Sequence, residues 1–268
     1  FDRINAHEIW NQETGIHSRD NISLYIHIPF CKGKCTFCSF CTYPFEQNIA
    51  KHYLLALKKE IKLYAKQKYF KNHTIDSIWI GGGTPTTYSS KEIYSILKLI
   101  LQALPCTDNV EITLETIPKV HSKKLLSLSK IVTKLSVGVQ STDDYYLSMF
   151  NRPHTFRDTI EFIENAKNIG YKSINADIIY AKPGETIEHW EKDLTKLTEL
   201  GFDHISLFSF VPVKGTPIYE SIRQGNLPSV CEVSTEWKMF QMAQRILNKK
   251  GYSQYTAYYF SKNSTSQF

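Results

Sequence analysis

Residues 23–41 read "SLYIHIPFCKGKCTFCSFC", a short apolar run followed at once by four closely spaced cysteines. The run is rich in β-branched and aromatic residues, which predicts a β-strand over residues 23–28. Only two further cysteines, Cys106 and Cys231, occur elsewhere in the sequence. Thiols concentrated in this way occur in disulfide knots, zinc sites and iron–sulfur proteins, and the rest of the sequence has to discriminate among these.

The composition and the lack of a signal peptide argue against disulfide knots. The 268 residues are 42% hydrophobic, enough for one large domain or two ordinary ones. The chain starts at Phe1 and ends on the polar stretch "SKNSTSQF", so we expect a segment of a longer protein. No apolar run is long enough for a signal peptide or a membrane span, and we expect a cytoplasmic protein. In that reducing compartment clustered thiols bind metal more often than they form disulfides.

The charge pattern bears on the partners. The formal net charge is +6, and the 32 Lys and Arg residues are scattered, often in pairs such as Lys58-Lys59. This pattern predicts solvated helix faces rather than a nucleic-acid surface. We therefore expect no nucleic-acid partner and no membrane contact, while a partner that carries carboxylates stays open.

Strand-like and helix-like segments alternate along most of the chain. Because parallel strands need crossover connections, this alternation predicts an α/β fold with a parallel sheet and helices outside it. A curved partial barrel and a doubly wound open sheet both fit the pattern. The predicted strands are 23–28, 75–80, 110–115, 134–139, 173–180 and 204–211, and the predicted helices are 49–68, 90–104, 122–129, 142–150, 156–169, 187–200 and 234–249.

Unusual residues follow the carboxyl ends of these predicted strands. The cysteines follow the first strand, and "GGGTPT" (81–86) follows the second. Glu115, Gln140 and Asp177 lie at the ends of, or within, the next three. Active sites of parallel α/β proteins lie at this edge, so we expect one site formed by six loops.

The cysteine spacing favours an iron–sulfur cluster over zinc. Zinc prefers two pairs of ligands separated by a longer spacer, so a four-cysteine zinc site is the minor alternative. Cys31, Cys35 and Cys38 have the spacing C-x3-C-x2-C, which supplies three thiolates and leaves one iron of a cubane open. An open iron can chelate the amino and carboxylate groups of a small molecule. Cys41 would saturate that iron, and we predict that it is not a ligand.

Five motifs together resemble a known family. "YIHIPFCKGKCTFC", "GGGTPT", "GVQS", "NRPHT" and "ADIIYAKPGET" occur in this order. They resemble the radical S-adenosylmethionine (SAM) superfamily, and in particular its HemN-like branch. That branch includes oxygen-independent coproporphyrinogen III oxidase, HemW-type haem chaperones, haem-opening methyltransferases, and class C methyltransferases and cyclopropanases. The resemblance extends from about Leu24 to Phe260.

This resemblance implies a fold and a domain organisation. The fold is a partial (β/α)6 TIM-like barrel of the radical SAM type, with a C-terminal extension. Residues 23–212 form the radical SAM core, preceded by an N-terminal extension (1–22). Residues 213–268 are the start of a HemN-like C-terminal region, which we expect to be truncated.

The resemblance also implies the cofactors and the residues that bind them. A 4Fe–4S cluster bound by Cys31, Cys35 and Cys38 reductively cleaves SAM to a 5′-deoxyadenosyl radical. The residues that match contacts of this SAM are Tyr25, Gly82, Glu115 and Val211. The residues that match contacts of a second SAM in the oxidase are Phe37, Gly83, Thr84, Gln140, Arg152 and Asp177.

Retention of the second set favours chemistry that uses two SAM molecules. The radical would take hydrogen from the methyl group of the second SAM, and the methylene radical would methylate or cyclopropanate a small-molecule or peptide substrate. The alternatives are an oxidative decarboxylase like the coproporphyrinogen oxidase and a HemW-like haem-binding chaperone. The electron is expected from a flavodoxin- or ferredoxin-type reductant.

Two positions depart from the family pattern. Ala181 and Lys182 replace the Gly and Leu of the usual "YGLPGQT" stretch. We expect Lys182 to be an ordinary exposed lysine. Cys106 and Cys231 are expected to be small buried residues.

Overall fold

The computed structural model describes residues 21–262. The predicted N-terminal extension lies outside the described residues except for its last two positions, and so do residues 263–268 of the predicted C-terminal region. The division into core and extensions stays a prediction. No helix within residues 21–262 is long and apolar enough to cross a membrane.

Six long parallel strands dominate the structure, and four short strands accompany them. The strands of the described residues are β1 (Asn21–Ile28), β2 (Phe30–Cys31), β3 (Tyr43–Pro44), β4 (Thr74–Gly82), β5 (Cys106–Thr116), β6 (Lys134–Gln140), β7 (Ser173–Tyr180), β8 (His204–Ser209), β9 (Ser253–Gln254) and β10 (Tyr259–Ser261).

Helices follow each of the six long strands. They are α1 (Gln47–Tyr64), α2 (Lys68–Asn72), α3 (Ser90–Ala103), α4 (Ser122–Leu128), α5 (Asp144–Met149), α6 (Phe156–Ile169), α7 (Ile187–Glu199), α8 (Pro217–Arg223) and α9 (Val233–Lys249), and a 3-10 turn covers Pro85–Thr87.

The sheet has the order β1-β4-β5-β6-β7-β8-β10-β9. Neighbours from β1 to β8 are parallel, whereas β10 pairs antiparallel with β8 and with β9. In the described part of the chain the two outer strands of this sheet do not pair with each other. The predicted partial (β/α)6 barrel is confirmed, and β10 and β9 extend its sheet beyond the sixth unit.

The hydrophobic pattern explains this arrangement. Strand β7 is buried on both faces along nearly all of its length, as parallel strands covered by helices are. In α7, Trp190, Leu194 and Leu197 recur at helical spacing and are fully buried against the sheet. Helix α8 escaped prediction because it is short; it begins with Pro217 directly after the capping residue Thr216.

A second, smaller apolar cluster supports the loop that carries the cysteines. Phe150, Ile179, Phe210 and Ile218 form it, and Phe37 packs against it. The rings of Phe37 and Phe150 lie 4.8 Å apart between centroids, in an edge-to-face arrangement. The loop is thus anchored by packing as well as by chain connectivity.

Lys182 corrects one expectation from the sequence, because its side chain is fully buried rather than exposed. Its Nζ lies 2.5 Å from Glu185 Oε1 and 2.9 Å from Asp193 Oδ2, and it donates to the carbonyl oxygen of Ile179. It also lies 4.7 Å from the centre of the Tyr146 ring. Burial of an ammonium group requires such partners, and this set supplies them.

Candidate active site

Hydrogen bonds fix the cysteine loop (residues 31–41) to distant parts of the chain. The N–H of Thr36 donates to Phe150 O at 3.1 Å, and its hydroxyl donates to Met149 O at 2.9 Å. The N–H of Ile218 in turn donates to Thr36 O at 3.1 Å. A loop without regular structure therefore holds its thiols in a defined place.

Three of the four thiols in this loop line one cavity of about 670 Å³. Cys31, Cys35 and Cys38 are half-buried, whereas Cys41 is exposed and is not part of the lining. The Cys31 sulfur lies 3.6 Å from the Thr84 hydroxyl. This placement agrees with the prediction that Cys41 is not a cluster ligand, which stays a prediction.

The chemistry of these thiols fits an iron–sulfur cluster. In the described residues no three Cys, His, Asp or Glu side chains lie close enough together to hold a single metal ion, as tetrahedral zinc requires. Thiolates that border an open cavity suit a larger cluster. Burial raises the pKa of the Cys31 and Cys38 thiols, so metal binding there has to displace their protons.

The same cavity is lined by residues from the carboxyl ends of several strands. Of the site residues predicted from the sequence, all but Tyr25 line it: Cys31, Cys35, Phe37, Cys38, Gly82, Gly83, Thr84, Glu115, Gln140, Arg152, Asp177 and Val211. Tyr25 is 53% exposed, and its hydroxyl lies 3.3 Å from His27 Nδ1. The structure therefore brings the cysteine loop and the strand ends to one place.

Glu115 is held in a fixed orientation at the end of β5. Trp79 Nε1 donates to its Oε1 at 2.7 Å, and the N–H of Gly82 donates to its Oε2 at 3.0 Å. Burial raises the pKa of Glu115, and these two hydrogen bonds oppose the shift. The carboxylate keeps acceptor capacity toward a cationic group in the cavity.

The glycines of "GGGTPT" have separate structural reasons. A Cβ at position 81 would overlap the Glu115 carboxylate, and one at Gly83 would overlap the backbone of Phe30. Gly82 has φ of 110°, a conformation that L side chains rarely adopt, and a Cβ there would overlap the ring of His27. The motif thus lets β4, the cysteine loop and Glu115 approach one another.

Arg152 connects the cysteine loop to strand β6. Its Nη1 donates to the Cys35 sulfur at 3.1 Å, and its Nη2 donates to Gly138 O at 2.6 Å. Its Nε is buried and has no hydrogen-bond partner. A guanidinium with a spare donor at a cavity wall is suited to a carboxylate.

Asp177 is the most perturbed acid of the site. It accepts hydrogen bonds from Ser136 Oγ at 3.1 Å and from Asn175 Nδ2 at 2.8 Å. Burial, and secondly the charge of Glu115, raises the pKa of Asp177 to about 7. Near neutral pH this carboxyl group is therefore divided between its protonated and ionised forms.

We predict that Asp177→Asn stabilises the protein more at pH 7.5 than at pH 5. The native pKa exceeds that of the unfolded chain, so the native state binds more protons between about pH 4 and about pH 7. Wild-type stability falls as the pH rises through that window, by roughly 3 kcal/mol. The amide carries no such dependence. Urea unfolding of the cluster-free chain measures the difference.

The control for this prediction is Asp108→Asn, which removes an exposed carboxylate. Its free energy of unfolding should lie within about 0.5 kcal/mol of the wild-type value at both pH values. If Asp177→Asn raised the free energy of unfolding by the same amount at both pH values, that result would contradict a raised pKa of Asp177.

Several lining residues escaped the sequence analysis. Trp79, Ser136, Phe208 and Tyr259 all face the cavity. Ser136 could have been found, since it precedes Gly138 and Gln140 at the two-residue spacing of a single strand face. Tyr259 could not, because it reaches the site through the antiparallel pairing of β10 with β8.

Comparison with known proteins gives consistent similarities. A family comparison matches residues 25–197 to the radical SAM superfamily. The haem chaperone HemW of Bacillus subtilis (strain 168) is 31% identical over 244 residues, covering 90% of this chain and 63% of that protein. The anaerobilin synthase of Escherichia coli O157:H7 is 27% identical over 213 residues, covering 78% of this chain and 48% of that protein.

Among solved structures, the coproporphyrinogen III oxidase HemN from Escherichia coli, described as a radical SAM enzyme, is similar with a TM-score of 0.80. It is 27% identical in sequence, and the match covers 92% of this chain and 57% of that chain. The present chain spans less than two thirds of the length of each of these three proteins.

Proposed function

Because this chain belongs to the radical SAM superfamily, we propose that it is the radical SAM part of a haem-handling protein. Its cofactors are a 4Fe–4S cluster and SAM. The observation that carries the proposal is the similarity to the haem chaperone HemW, which extends over 90% of this chain. The proposed role is haem binding by a protein that holds SAM at its cluster.

In this proposal Cys31, Cys35 and Cys38 hold the cluster, and Cys41 takes no part. The bound cluster and SAM together supply a 5′-deoxyadenosyl radical. Support comes from the three thiols that share one cavity wall while Cys41 lies outside it.

The chain's own residues would orient SAM beside these thiols. Glu115, fixed by Trp79 and by the backbone of Gly82, would accept a hydrogen bond from the ammonium group of SAM. Val211, 65% exposed at the rim, would border the adenine, and Tyr25 would pack at the outer side of the loop. Apolar lining from Phe208 and Phe210 would limit the access of water to the reacting atoms.

Haem binding is tested by titrating haemin into the reconstituted protein and recording the visible absorbance. We expect a saturable change in the haem spectrum at one haem per chain, with and without SAM. A spectrum that stays that of free haem at every ratio would overturn the haem-handling proposal. It would leave the cofactor assignment standing.

A second candidate is methyl or methylene transfer with two SAM molecules. The observation that favours it is that the matching residues, Phe37, Gly83, Thr84, Gln140, Arg152 and Asp177, all line the cavity that the cysteines line. The similarity to an anaerobilin synthase adds support for chemistry on a tetrapyrrole. In this candidate Arg152 would bind the carboxylate of the second SAM, and Asp177 would face a positive group of it.

Methyl-deuterated SAM distinguishes the candidates. The reconstituted protein is reduced with dithionite, and 5′-deoxyadenosine is analysed by mass spectrometry with and without haemin. Deuterium in 5′-deoxyadenosine is the result expected for two-SAM chemistry. Unlabelled 5′-deoxyadenosine favours hydrogen abstraction from another donor, as in an oxidative decarboxylase resembling HemN. Haem binding with no cleavage favours a chaperone.

The electron for SAM cleavage would come from a flavodoxin- or ferredoxin-type protein. Strand β3 directly follows the cysteine loop, and its residue Tyr43 is 58% exposed. We propose that a small electron-carrier protein approaches the cluster loop from this side.

A further inference from the structure

A second concave surface lies beside the cysteine loop but outside the SAM cavity. This groove, of about 960 Å³, runs between α1, the start of α3 and α4. We call it the α1–α4 groove and define it by Phe45, Lys51, Leu55, His121, Lys123 and Lys124. None of the residues assigned above to the cluster or to SAM lines it.

The groove is basic. Lys51 and Lys123 are exposed, while Lys124 is half-buried and donates to the carbonyl oxygens of Thr86 and Tyr88 at 2.8 Å each. Burial, and secondly the charge of Lys32, lowers the pKa of Lys124.

Acidic groups offset only part of this charge. Among the described residues that line the groove, Glu92 is the one acid. Its carboxylate is engaged by the N–H and the hydroxyl of Ser89, at 2.8 Å and 2.7 Å, at the start of α3. The groove therefore presents several cations around an apolar floor that includes Leu55, which is 50% exposed.

The groove is also directly connected to the first cluster cysteine. The N–H of Phe45, a lining residue, donates to the carbonyl oxygen of Cys31 at 2.9 Å. Strands β2 and β3 pair Cys31 with Pro44, the neighbour of Phe45. Thr87 lines both the groove and the SAM cavity. A partner seated in the groove would therefore lie against the outer side of the cluster loop.

We propose that the α1–α4 groove is the docking surface for an acidic one-electron carrier protein of the flavodoxin type. The inference rests on the proposed function, because it assigns a partner to the cluster. The carrier's reduced flavin would lose one electron and a cluster held by Cys31, Cys35 and Cys38 would gain it, with no covalent bond formed or broken. Complementary charge around an apolar centre is what brings such partners together and orients them.

The test compares two doubly substituted proteins with the same change in charge. Lys51→Glu with Lys123→Glu reverses the charge of the groove. Lys238→Glu with Lys249→Glu reverses two exposed lysines of α9, which packs on α7 at the other end of the sheet. Binding of oxidised flavodoxin is measured by calorimetry, and SAM cleavage is measured with reduced flavodoxin and, separately, with dithionite.

We expect the groove variant to weaken flavodoxin binding about tenfold at low ionic strength and to slow flavodoxin-driven cleavage to a similar extent. The α9 variant should bind flavodoxin and cleave SAM as the wild type does. High salt should reduce the difference in flavodoxin affinity between the groove variant and the wild type. Dithionite-driven cleavage should be equal in all three proteins.

Several outcomes would overturn the inference. If the wild type and the groove variant bind flavodoxin with equal affinity, the groove is not the docking surface. The same conclusion follows if the groove variant and the α9 variant lose the same amount of affinity. A groove variant that changes only self-association in the ultracentrifuge would mean that a second copy occupies the groove. Failure of haemin to bind would instead be a failure of the proposed function, and the flavodoxin-binding measurement still decides the docking surface, whether or not dithionite drives SAM cleavage.

Discussion

Cys35→Ser is expected to abolish both cluster assembly and SAM cleavage. Cys35 lies between the other two cavity thiols in the sequence, and its sulfur is the acceptor for Arg152 Nη1 at 3.1 Å. Removal of its thiolate leaves two cysteine ligands in the cavity, too few to hold a 4Fe–4S cluster with one open iron. Iron and sulfide per chain after anaerobic reconstitution, and 5′-deoxyadenosine formed with dithionite, should both fall to background.

Cys41→Ser is the matched control, because it removes a thiol from the same loop. Cys41 is exposed, and its backbone carbonyl, not its sulfur, contacts His27 Nε2 at 3.3 Å. This variant should assemble a full cluster and cleave SAM at the wild-type rate. Loss of the cluster in Cys41→Ser would show a fourth thiolate ligand, and a full cluster in Cys35→Ser would refute the three-thiol site.

The location of the site was predictable because its determinants are local. Alternating strand and helix patterns placed Glu115, Gln140 and Asp177 near the carboxyl ends of parallel strands, and those ends meet at one edge of the sheet. The cysteine spacing then identified which loop faces them. This local pattern left a partial barrel and an open sheet both possible, and the resemblance to the radical SAM superfamily decided between them.

The remaining features depend on contacts between distant segments. Trp79 gives no sign in the sequence that its indole donates to Glu115, because that contact depends on the pairing of β4 with β5. Sequence alone also cannot distinguish an exposed lysine from a buried one with partners. Lys182 was misjudged for that reason, since Asp193 reaches it from the middle of α7.

Lys182→Met is expected to lower the free energy of unfolding by about 3–5 kcal/mol. Methionine fills similar space but leaves the Glu185 and Asp193 carboxylates buried without their cation. Asp193 also accepts from the Ser141 hydroxyl at 2.8 Å and from the N–H of Thr142, directly after Gln140. Urea unfolding at pH 7.5 measures the loss.

Neutralising Glu185 and Asp193 shows whether that loss comes from uncompensated charge or from packing. Lys182→Met combined with Glu185→Gln and Asp193→Asn removes the two uncompensated charges. An amide oxygen remains at position 185 for the backbone N–H of residue 182 and one at position 193 for the N–H of Thr142, while the Ser141 hydroxyl can rotate to accept from the new amide NH2. This variant should regain most of the lost stability, because a buried ion pair adds little over neutral groups that pack equally well. A cost below about 1 kcal/mol for Lys182→Met alone would contradict this account.

The pH dependence of Lys182→Met provides an independent check. Burial already raises the pKa of Glu185 while Lys182 opposes the shift, so loss of the lysine raises that pKa further. A raised native pKa means that the native state takes up protons first as the pH falls. The difference in unfolding free energy between Lys182→Met and the wild type should therefore shrink toward acid pH, whereas a defect of packing alone would be the same at every pH.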